Sequence, residues 1–298
     1  MTQKSRIFVH GLKAHADEMW ACALLIASKP DIEFTEIIRD AKRIPEAADN
    51  DFVLDCGMKF DGEHYFDHHQ FESSEDVDCT LTLVAKRFAP WVLSDEKFGH
   101  IAERVRVQDN FGIPAAEKKF GKSSSWLASE FVMISLFEKE PLRIAGILAE
   151  GFRNRLAETQ EIKRAGEWLK SNSHIEISEN GIKIMVVERS PFKEGFSIIG
   201  FNAASCVYSA SAGAGIVYGW NSDGSDSRTL FRTSAGKGID FMNSVPERPV
   251  FCHSGGFLLI FDPAYDDEYR VLVQQACCPG KKWEKSDEYF GKNAKVTL

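Results

Sequence analysis

The chain has 298 residues, of which 44% are hydrophobic and 27% charged, a composition that indicates a globular protein long enough for two domains. The net charge of −8 argues against a broad electrostatic interface for long duplex DNA, although it is compatible with a local basic groove for a short nucleic acid. No apolar run approaches the roughly 18 residues of a membrane-spanning helix, so no membrane partner is expected.

The first part of the chain alternates between strand-like and helix-like patterns. Arg6–Val9 predicts a strand, Ala16–Ala27 an amphipathic helix that Pro30 ends, and Phe34–Ile38 and Asp51–Leu54 two further strands. This order favours an α/β domain with a mainly parallel sheet flanked by helices.

The middle of the chain is predicted to be mostly helical. Helices are expected over Cys79–Phe88, Glu96–Val107 and much of 123–170, and Asp109–Gly112 is expected to form a turn after the second of them. Phe131 is interpreted as one of the apolar anchors of the last helical stretch.

The pattern changes after Ser171. His174–Ile177 and Ile182–Glu188 flank Asn180-Gly181, which is a strong signal for a β-hairpin, and Gly- and Ser-rich β-like stretches follow. We therefore place a boundary near residue 172, with an α/β domain over 1–172 and a smaller α+β domain over 173–298.

Ser209–Gly215 resembles a phosphate-binding loop in composition but lacks the Gly-Lys-Ser/Thr ending, so we interpret it as a strand or a tight packing segment. The seven cysteines include no C-x-x-C pair, and the neighbouring Cys277 and Cys278 are interpreted as inert. Their odd number, and a start of the chain without the long apolar core of a signal peptide, favour reduced thiols in the cytoplasm.

Histidine and aspartate residues follow the predicted strands of the first domain. His10 directly follows the first strand, His15 and Asp17 lie in the loop that enters the next helix, and Asp55 follows the strand that ends at Leu54. Ligands of open α/β sheets bind at the carboxyl ends of the strands, so these side chains are expected to meet at one edge. A carboxylate buried there needs compensation, which a metal ion or a capped turn would supply.

The run Phe66-Asp67-His68-His69-Gln70 adds an acid and two imidazoles, and Asp109 adds a further carboxylate. Imidazole and carboxylate groups that converge in this way would form a cage for two divalent metal ions, which suits hydrolysis of a phosphoester. The ordinary alternatives are that Asp17 caps its helix and that Asp109 belongs to an Asx-type turn.

These motifs resemble the DHH phosphoesterase superfamily, which includes RecJ-type exonucleases, oligoribonucleases and manganese-dependent family II pyrophosphatases. The similarity is closer to the branch named after the melanocyte-proliferating-gene protein, with motifs T-H-x-G-x-F-H-x-D-E, V-D-V-G, Y-D-H-H-Q and D-N-G. The counterparts in this chain are Val9–Glu18, Leu54–Gly57, Phe66–Gln70 and Asp109–Gly112.

The resemblance continues into the second domain, with departures. Ser190–Glu194 and Phe251–Phe257 resemble the branch's P-W-K-E and F-V-H-x-x-G-F segments. The branch's glycine and phenylalanine between the first two histidines are missing, and Lys13 and Ala14 stand in this segment. His15 occupies a position where the wider superfamily commonly has aspartate, which makes the cage less negative.

The resemblance implies a DHH-type metal-binding phosphoesterase domain over 1–172 and a substrate-binding domain over 173–298. It implies two divalent ions, best matched by Mn²⁺ because the ligands mix nitrogen and oxygen, with Mg²⁺ or Zn²⁺ as alternatives. The expected ligands are His10, His15 and Asp55 for one ion, and Asp17, Asp55, His68 and Asp109 for the other, so that Asp55 bridges them.

The catalytic residues expected beside the bridging Asp55 are His69, facing the substrate phosphate or the leaving oxygen, and Asp67, orienting the loop. The metals would lower the pKa of a bound water, and the resulting hydroxide would attack phosphorus in line. The candidates for binding the substrate anion in the second domain are Lys193, Arg232, His253, Gly255 and Gly256.

The leading functional hypothesis is a metal-dependent phosphoesterase, a 3′–5′ exonuclease or phosphodiesterase on short single-stranded nucleic acid, with RNA favoured by the resemblance. A small-molecule phosphohydrolase for pyrophosphate or a nucleotide is the second hypothesis, which the acidic net charge favours. A non-catalytic metal-binding interaction module is the third. The oligomeric state is left open, with a homodimer among the alternatives.

Overall fold

Parallel strands form the first sheet of the protein in a computed structural model. The order is β2-β1-β3-β4, with β1 (Gln3–Val9) between β2 (Ile32–Arg39) and β3 (Phe52–Leu54), and with β4 (Tyr65–Phe66) beside β3. All three pairings are parallel, which confirms the predicted mainly parallel sheet, although β4 was not among the predicted strands. The neighbouring strands β1 and β3 therefore end at the same edge of the sheet. The structure describes residues 3–72, 77–121, 124–221, 227–236, 238–241, 244, 249–253, 257–262 and 269–277.

Helices surround this sheet. They are α1 (Ala16–Ser28), α2 (Thr80–Phe88), α3 (Trp91–Ser94), α4 (Phe98–Phe111), α5 (Ile113–Phe120), α6 (Ser124–Lys139) and α7 (Pro141–Asn172), together with a 3₁₀ helix over Ala41–Glu46. The core contains Ile7 of β1, Met19 and Leu24 of α1, Leu54 of β3 and Val84 of α2. Burial of these apolar side chains fixes α1 and α2 against the sheet, and so fixes the loops at its edge.

The helical region differs from the expectation in three ways. The helix predicted to end at Val107 continues to Phe111, so Asp109 lies in its last turn and not in a separate turn. Gly112, with a φ of +81°, ends that helix in a conformation that favours glycine. The short helix α3 and the helix α5 were not expected. Phe131 is 62% exposed on α6, so its interpretation as a core anchor is wrong.

The second sheet is mixed, in the order β5-β6-β7-β8-β10-β9 within the described residues. Its strands are β5 (Ser173–Ile177), β6 (Lys183–Val187), β7 (Ile216–Trp220), β8 (Arg228–Arg232), β9 (Pro249–Cys252) and β10 (Leu258–Phe261). The pair β6 and β7 is parallel and the other pairs are antiparallel. The predicted hairpin is present, with Gly181 at a φ of +79°.

Two helices accompany the second sheet, α8 (Ile198–Ala212) and α9 (Tyr269–Ala276). Ser209–Gly215 is not a strand, because its first residues form the last turn of α8. Its alternative interpretation as a tight packing segment is confirmed, because Ser209 and Ala214 are buried and Gly215 lies against Gly236. Ser197 caps the start of α8, its side chain accepting a hydrogen bond from the Gly200 N–H, and Gly213 caps its end in a left-handed conformation. The capping residues therefore mark the ends of a helix whose small residues show little helical periodicity in the sequence.

The chain divides into two compact units, Met1–Arg155 and Leu156–Leu298. This division lies within α7, and the boundary placed near residue 172 coincides with the end of that helix. The predicted α/β architecture of the first part and the mixed α+β architecture of the second are both confirmed. None of the helices in the described ranges has the length and hydrophobicity that a membrane crossing requires.

Candidate metal centre

His10 stands at the first position after β1, beside two carboxylates. Its Nε2 lies 3.2 Å from Glu18 Oε2 and 3.4 Å from Asp55 Oδ2. The Asp55 carboxylate raises the pKa of the imidazole against the opposing effect of burial. Its ring centroid lies 5.1 Å from that of His15, an exposed residue immediately before α1.

Asp55 is buried directly after β3 in an unusual backbone conformation. Its φ of +55° lies in the left-handed region, which side-chain-bearing residues other than Asn and Asp seldom adopt. The Asp55 N–H donates to the Phe66 carbonyl at 3.0 Å, which fixes this turn against β4. Burial favours the neutral acid, but the adjacent imidazoles of His10 and His68 outweigh it and hold the Asp55 pKa below its usual value. Asp55 is therefore a carboxylate with imidazoles on two sides.

Asp17 lies in the first turn of α1 and is fully buried. Its two carboxylate oxygens accept hydrogen bonds from the backbone N–H groups of Thr80 and Leu81, each at 2.8 Å. Burial and the nearby carboxylates of Asp109 and Asp55 raise its pKa. Asp17 therefore caps a helix, as one of the alternatives predicted. The helix that it caps is α2, and not α1, to which Asp17 belongs.

His68 connects Asp55 to Asp109. Its Nε2 lies 3.4 Å from Asp55 Oδ1 and 3.1 Å from Asp109 Oδ2. Burial lowers the pKa of this imidazole, but the two carboxylates outweigh that effect and raise the pKa to about 10. The last turn of α4 therefore delivers Asp109 to the edge of the sheet.

Asp67 is buried next to His68 in the chain and accepts a hydrogen bond from the loop that follows β3. Its Oδ2 accepts a hydrogen bond from the Met58 N–H at 2.6 Å, and its Oδ1 accepts from the His69 N–H at 3.0 Å. The same Oδ1 lies 2.6 Å from His69 Nδ1. This contact leaves Nε2 of the half-exposed His69 ring available for a ligand.

The described residues contain three groups of side chains that could each hold a metal ion. In every group, one ligand atom from each residue lies within 4.8 Å of the others. The groups are His10, His15 and Asp55; Asp55, His68 and His69; and Asp17, His68 and Asp109. Asp55 and His68 each belong to two groups, so the groups form one continuous cluster.

The donor chemistry of this cluster fits divalent cations. Asp17, Glu18 and Asp55 bring buried carboxyl groups close together, which is unfavourable for anions without a compensating positive charge. Both ring nitrogens of His10 and the Nε2 of His68 are buried without a hydrogen bond of good geometry to any described residue. Imidazole nitrogen that lies beside carboxylate oxygen without a well-formed hydrogen bond is a ligand combination that suits Mn²⁺ and Zn²⁺.

Sequence reasoning assigned no role to Glu18, which is part of the site. Glu18 is buried between His10 and Arg39, with Arg39 Nη2 at 3.3 Å from its Oε1. Burial raises the Glu18 pKa to about 7, although both cations oppose this shift. The sequence signal that could have identified Glu18 was its place at the last position of the first motif, Val9–Glu18. Thr80 was also missed, and its Oγ1 lies 3.3 Å from Asp55 Oδ1.

The candidates for binding the substrate anion belong to the second unit. Arg232 lines a cavity of about 570 Å³ together with Thr233, Ser234 and neighbouring residues, and its Nη1 donates to the Ile239 carbonyl. Lys193 Nζ lies 5.5 Å from the centroid of the Trp220 ring. The His253 ring packs against Phe257 at 4.0 Å between centroids. The other two candidates, Gly255 and Gly256, lie outside the described residues.

The first part of the chain matches a known protein family. Residues 6–85 match the family model MYG1_exonuc, described as Uncharacterised protein family (UPF0160). This match confirms, over that segment, the resemblance to the branch named after the melanocyte-proliferating-gene protein. A search of curated proteins finds no match.

Two solved structures are similar at low identity. One is described as the DHH domain of a member of the s1p family of ribosomal proteins, with 13% identity over 92% of this chain and 87% of that chain and a TM-score of 0.32. The other is RecJ from Thermus thermophilus in complex with Mn²⁺, with 12% identity over 93% of this chain and 53% of that chain and a TM-score of 0.30. The evidence for a metal centre is the geometry of the cluster and the family match over residues 6–85, and not the similarity to these two structures.

Proposed function

We propose that the protein is a metal-dependent phosphoesterase of the DHH type that cleaves short single-stranded nucleic acid from one end. The observation that carries the proposal is the continuous cluster in which Asp55 belongs to a potential metal group with His10 and His15 and is joined through His68 to the group with Asp17 and Asp109. Shared ligands of this kind are suited to holding two cations a few Å apart. The family match over residues 6–85 supports the same class of chemistry.

The chain's own residues divide into metal ligands and positioning groups. His10, His15 and Asp55 would hold one ion, and Asp17, Asp55, His68 and Asp109 would hold the other. Bound divalent ions supply a hydroxide nucleophile at neutral pH and offset charge on the phosphoryl oxygens. We expect Mn²⁺ to be the bound ion, because the ligands combine imidazole and carboxylate.

His69 is the proposed catalytic group facing the substrate. Its Nδ1 is held by Asp67, so its Nε2 can donate a hydrogen bond to a phosphoryl oxygen or a proton to the leaving oxygen. Asp67, through its bonds to Met58 and His69, would fix the orientation of the imidazole. In the second unit, Lys193, Arg232 and His253 remain proposed contacts for the substrate anion, together with Gly255 and Gly256.

The test is metal loading followed by a comparison of substrates. The protein is stripped with a chelator, reloaded with Mn²⁺, Mg²⁺ or Zn²⁺, and its metal content is measured by plasma mass spectrometry. It is then incubated with short RNA and DNA labelled at either end, and with pyrophosphate. We expect two ions per chain with Mn²⁺, and stepwise shortening of the oligonucleotide from the 3′ end.

The variant Asp55→Asn keeps the side-chain size and removes the shared charge. It should lower metal content and reduce cleavage by about a hundredfold or more. Asp31→Asn, which alters an exposed carboxylate outside the site, is the matched control and should behave as the wild type.

Three results would contradict the proposal in different ways. Faster hydrolysis of pyrophosphate than of any oligonucleotide would favour the small-molecule phosphohydrolase. Stoichiometric metal without cleavage of any phosphoester would favour an interaction module. Absence of metal binding, or unchanged turnover in Asp55→Asn, would refute the assignment of the cluster.

A further inference from the structure

A cavity of about 530 Å³ lies directly beside the proposed metal centre in the first unit. Its lining includes His15, Asp17 and Asp109, which also belong to the potential metal groups. A ligand in this cavity would therefore touch the residues that hold the ions. The volume lies within the range of about 300–1,000 Å³ that is common for small-molecule sites.

One side of the cavity is apolar and aromatic. Phe131 and Ile134 of α6 and Ile113 of α5 line it. Phe131 is 62% exposed and Ile113 is 48% exposed, so both present apolar surface at the cavity. Lys13, on the loop between the two ligand histidines, places its Nζ 5.7 Å from the centroid of the Phe131 ring.

The polar lining adds hydrogen-bonding groups at the same cavity. Gln108 of α4 donates from Nε2 to Glu130 Oε2 at 3.1 Å, which links α4 to α6. Gln108 directly precedes Asp109 in the chain. The cavity thus combines an aromatic face, amide and carboxyl groups, and a lysine within reach of the proposed metal centre.

We propose that this cavity binds the base of the nucleotide whose phosphate group is cleaved, with Phe131 as the stacking surface and Lys13 contacting the adjacent phosphate. This inference rests on the proposed function and names its substrate subsite. A nucleobase offers a flat π-face for an aromatic ring and polar edges for amide and carboxyl groups, so it matches both sides of the cavity. Pyrophosphate has no apolar surface that could pack against the apolar side of the cavity.

The test compares Phe131→Ala with Phe131→Trp and Val132→Ala. Val132 is the next residue of α6, is also exposed, and is not part of the cavity lining, so Val132→Ala is the matched control. Phe131 is largely exposed, so its truncation leaves the core packing intact. Phe131→Trp keeps an aromatic face.

Two measurements are made with the Mn²⁺-loaded full chain. Calorimetric titration gives the affinity for nucleoside 5′-monophosphates and for inorganic phosphate. Steady-state kinetics gives KM for a short oligonucleotide with an ordinary or an abasic residue at the cleaved end. We expect Phe131→Ala to weaken nucleotide binding and raise KM for the ordinary substrate by about tenfold, with no change for phosphate or the abasic substrate.

The outcomes separate this inference from the proposed function. Selective loss of nucleotide binding in Phe131→Ala, in a protein that cleaves no phosphoester, would support the subsite and refute the catalytic proposal. Oligonucleotide cleavage with the same KM in Phe131→Ala as in the wild type would overturn the subsite and leave the catalytic proposal intact. Wild-type affinity for nucleotides no greater than for phosphate would also overturn the subsite.

Discussion

The carboxylate of Asp17 in α1 accepts a hydrogen bond from the backbone N–H of Thr80, at 2.8 Å, and so joins the starts of α1 and α2. A carboxylate at the N-terminus of a helix satisfies backbone donors that have no partner within the helix and interacts favourably with the helix dipole. The same side chain belongs to a potential metal group with His68 and Asp109. Asp17 is thus positioned to act in folding and in metal binding.

The two roles of Asp17 can be separated by comparing Asp17→Ala with Asp109→Asn. Asp17→Ala leaves the N–H groups of Thr80 and Leu81 buried without their acceptor, so we expect a loss of about 1–3 kcal/mol in the free energy of unfolding even in chelator. Asp109→Asn, which keeps a side-chain oxygen beside His68 Nε2, should lower that free energy by less than Asp17→Ala. Both should reduce Mn²⁺ content. Urea unfolding in chelator and plasma mass spectrometry measure the two effects, and equal stability of the two variants would refute the capping role.

Glu18→Gln tests whether Glu18 supports His10 as a metal ligand. The substitution keeps the side-chain size but removes the charge that lies 3.2 Å from His10 Nε2. Because carboxylates near ligand histidines orient the ring, we expect the Kd for Mn²⁺ to rise about tenfold. Calorimetric titration with Mn²⁺ measures this change. Glu33→Gln, which alters an exposed carboxylate on β2, is the control, and equal Kd values for the two variants would remove Glu18 from the site.

Asp67→Asn tests the pairing of Asp67 with His69. The variant weakens the acceptor for His69 Nδ1, so we expect kcat for oligonucleotide cleavage to fall about tenfold or more while Mn²⁺ content is retained. His69→Ala should have a similar or larger effect. If the two residues act as one unit, the double variant should be no slower than His69→Ala alone, whereas additive losses would show independent roles.

Glu103 provides a pH-dependent contribution to the helix that carries Asp109. Hydrogen bonds from Arg106, and then from Lys119, lower the Glu103 pKa from its ordinary 4.5 to about 2. A lowered carboxyl pKa stabilises the fold above the unfolded-state pKa, and this contribution is lost as the pH falls from 4.5 towards 2. Because Glu103 is partly exposed, we expect Glu103→Gln to cost only about 0.5 kcal/mol at pH 7.

Urea unfolding of the wild type and Glu103→Gln at pH 7 and at pH 3 measures this contribution. The difference in free energy of unfolding should be smaller at pH 3. A difference that is unchanged or larger at pH 3 would show that the ion pairs with Arg106 and Lys119 are not its source.

Local patterns were sufficient wherever a residue's environment followed from its neighbours in the chain. Short apolar runs predicted β1 and β2, Asn180-Gly181 predicted the β5–β6 hairpin, and the position of His10 and Asp55 after apolar runs placed them at strand ends. The rule that ligands meet at the carboxyl ends of parallel strands then brought these two residues to one edge.

Patterns failed where a long-range contact overrode local preference. Helix α4 extends to Phe111, and its last turn brings Asp109 to His68, which is distant in the chain. Helix α8 was missed because its small residues carry little periodicity, and its caps at Ser197 and Gly213 define it instead. Phe131 was expected to be buried because it is a large apolar residue, yet the packing of α6 leaves it exposed beside a cavity.

The sequence by itself determined the types of chemical group available and the strand ends from which most of them project, because secondary-structure period and motif spacing are local properties of the chain. Only the tertiary structure decided that Asp17 caps α2, that Glu18 is buried against His10 and that a cavity opens beside Asp109. These features depend on which helices pack together, and packing is set by the burial of apolar side chains far apart in sequence.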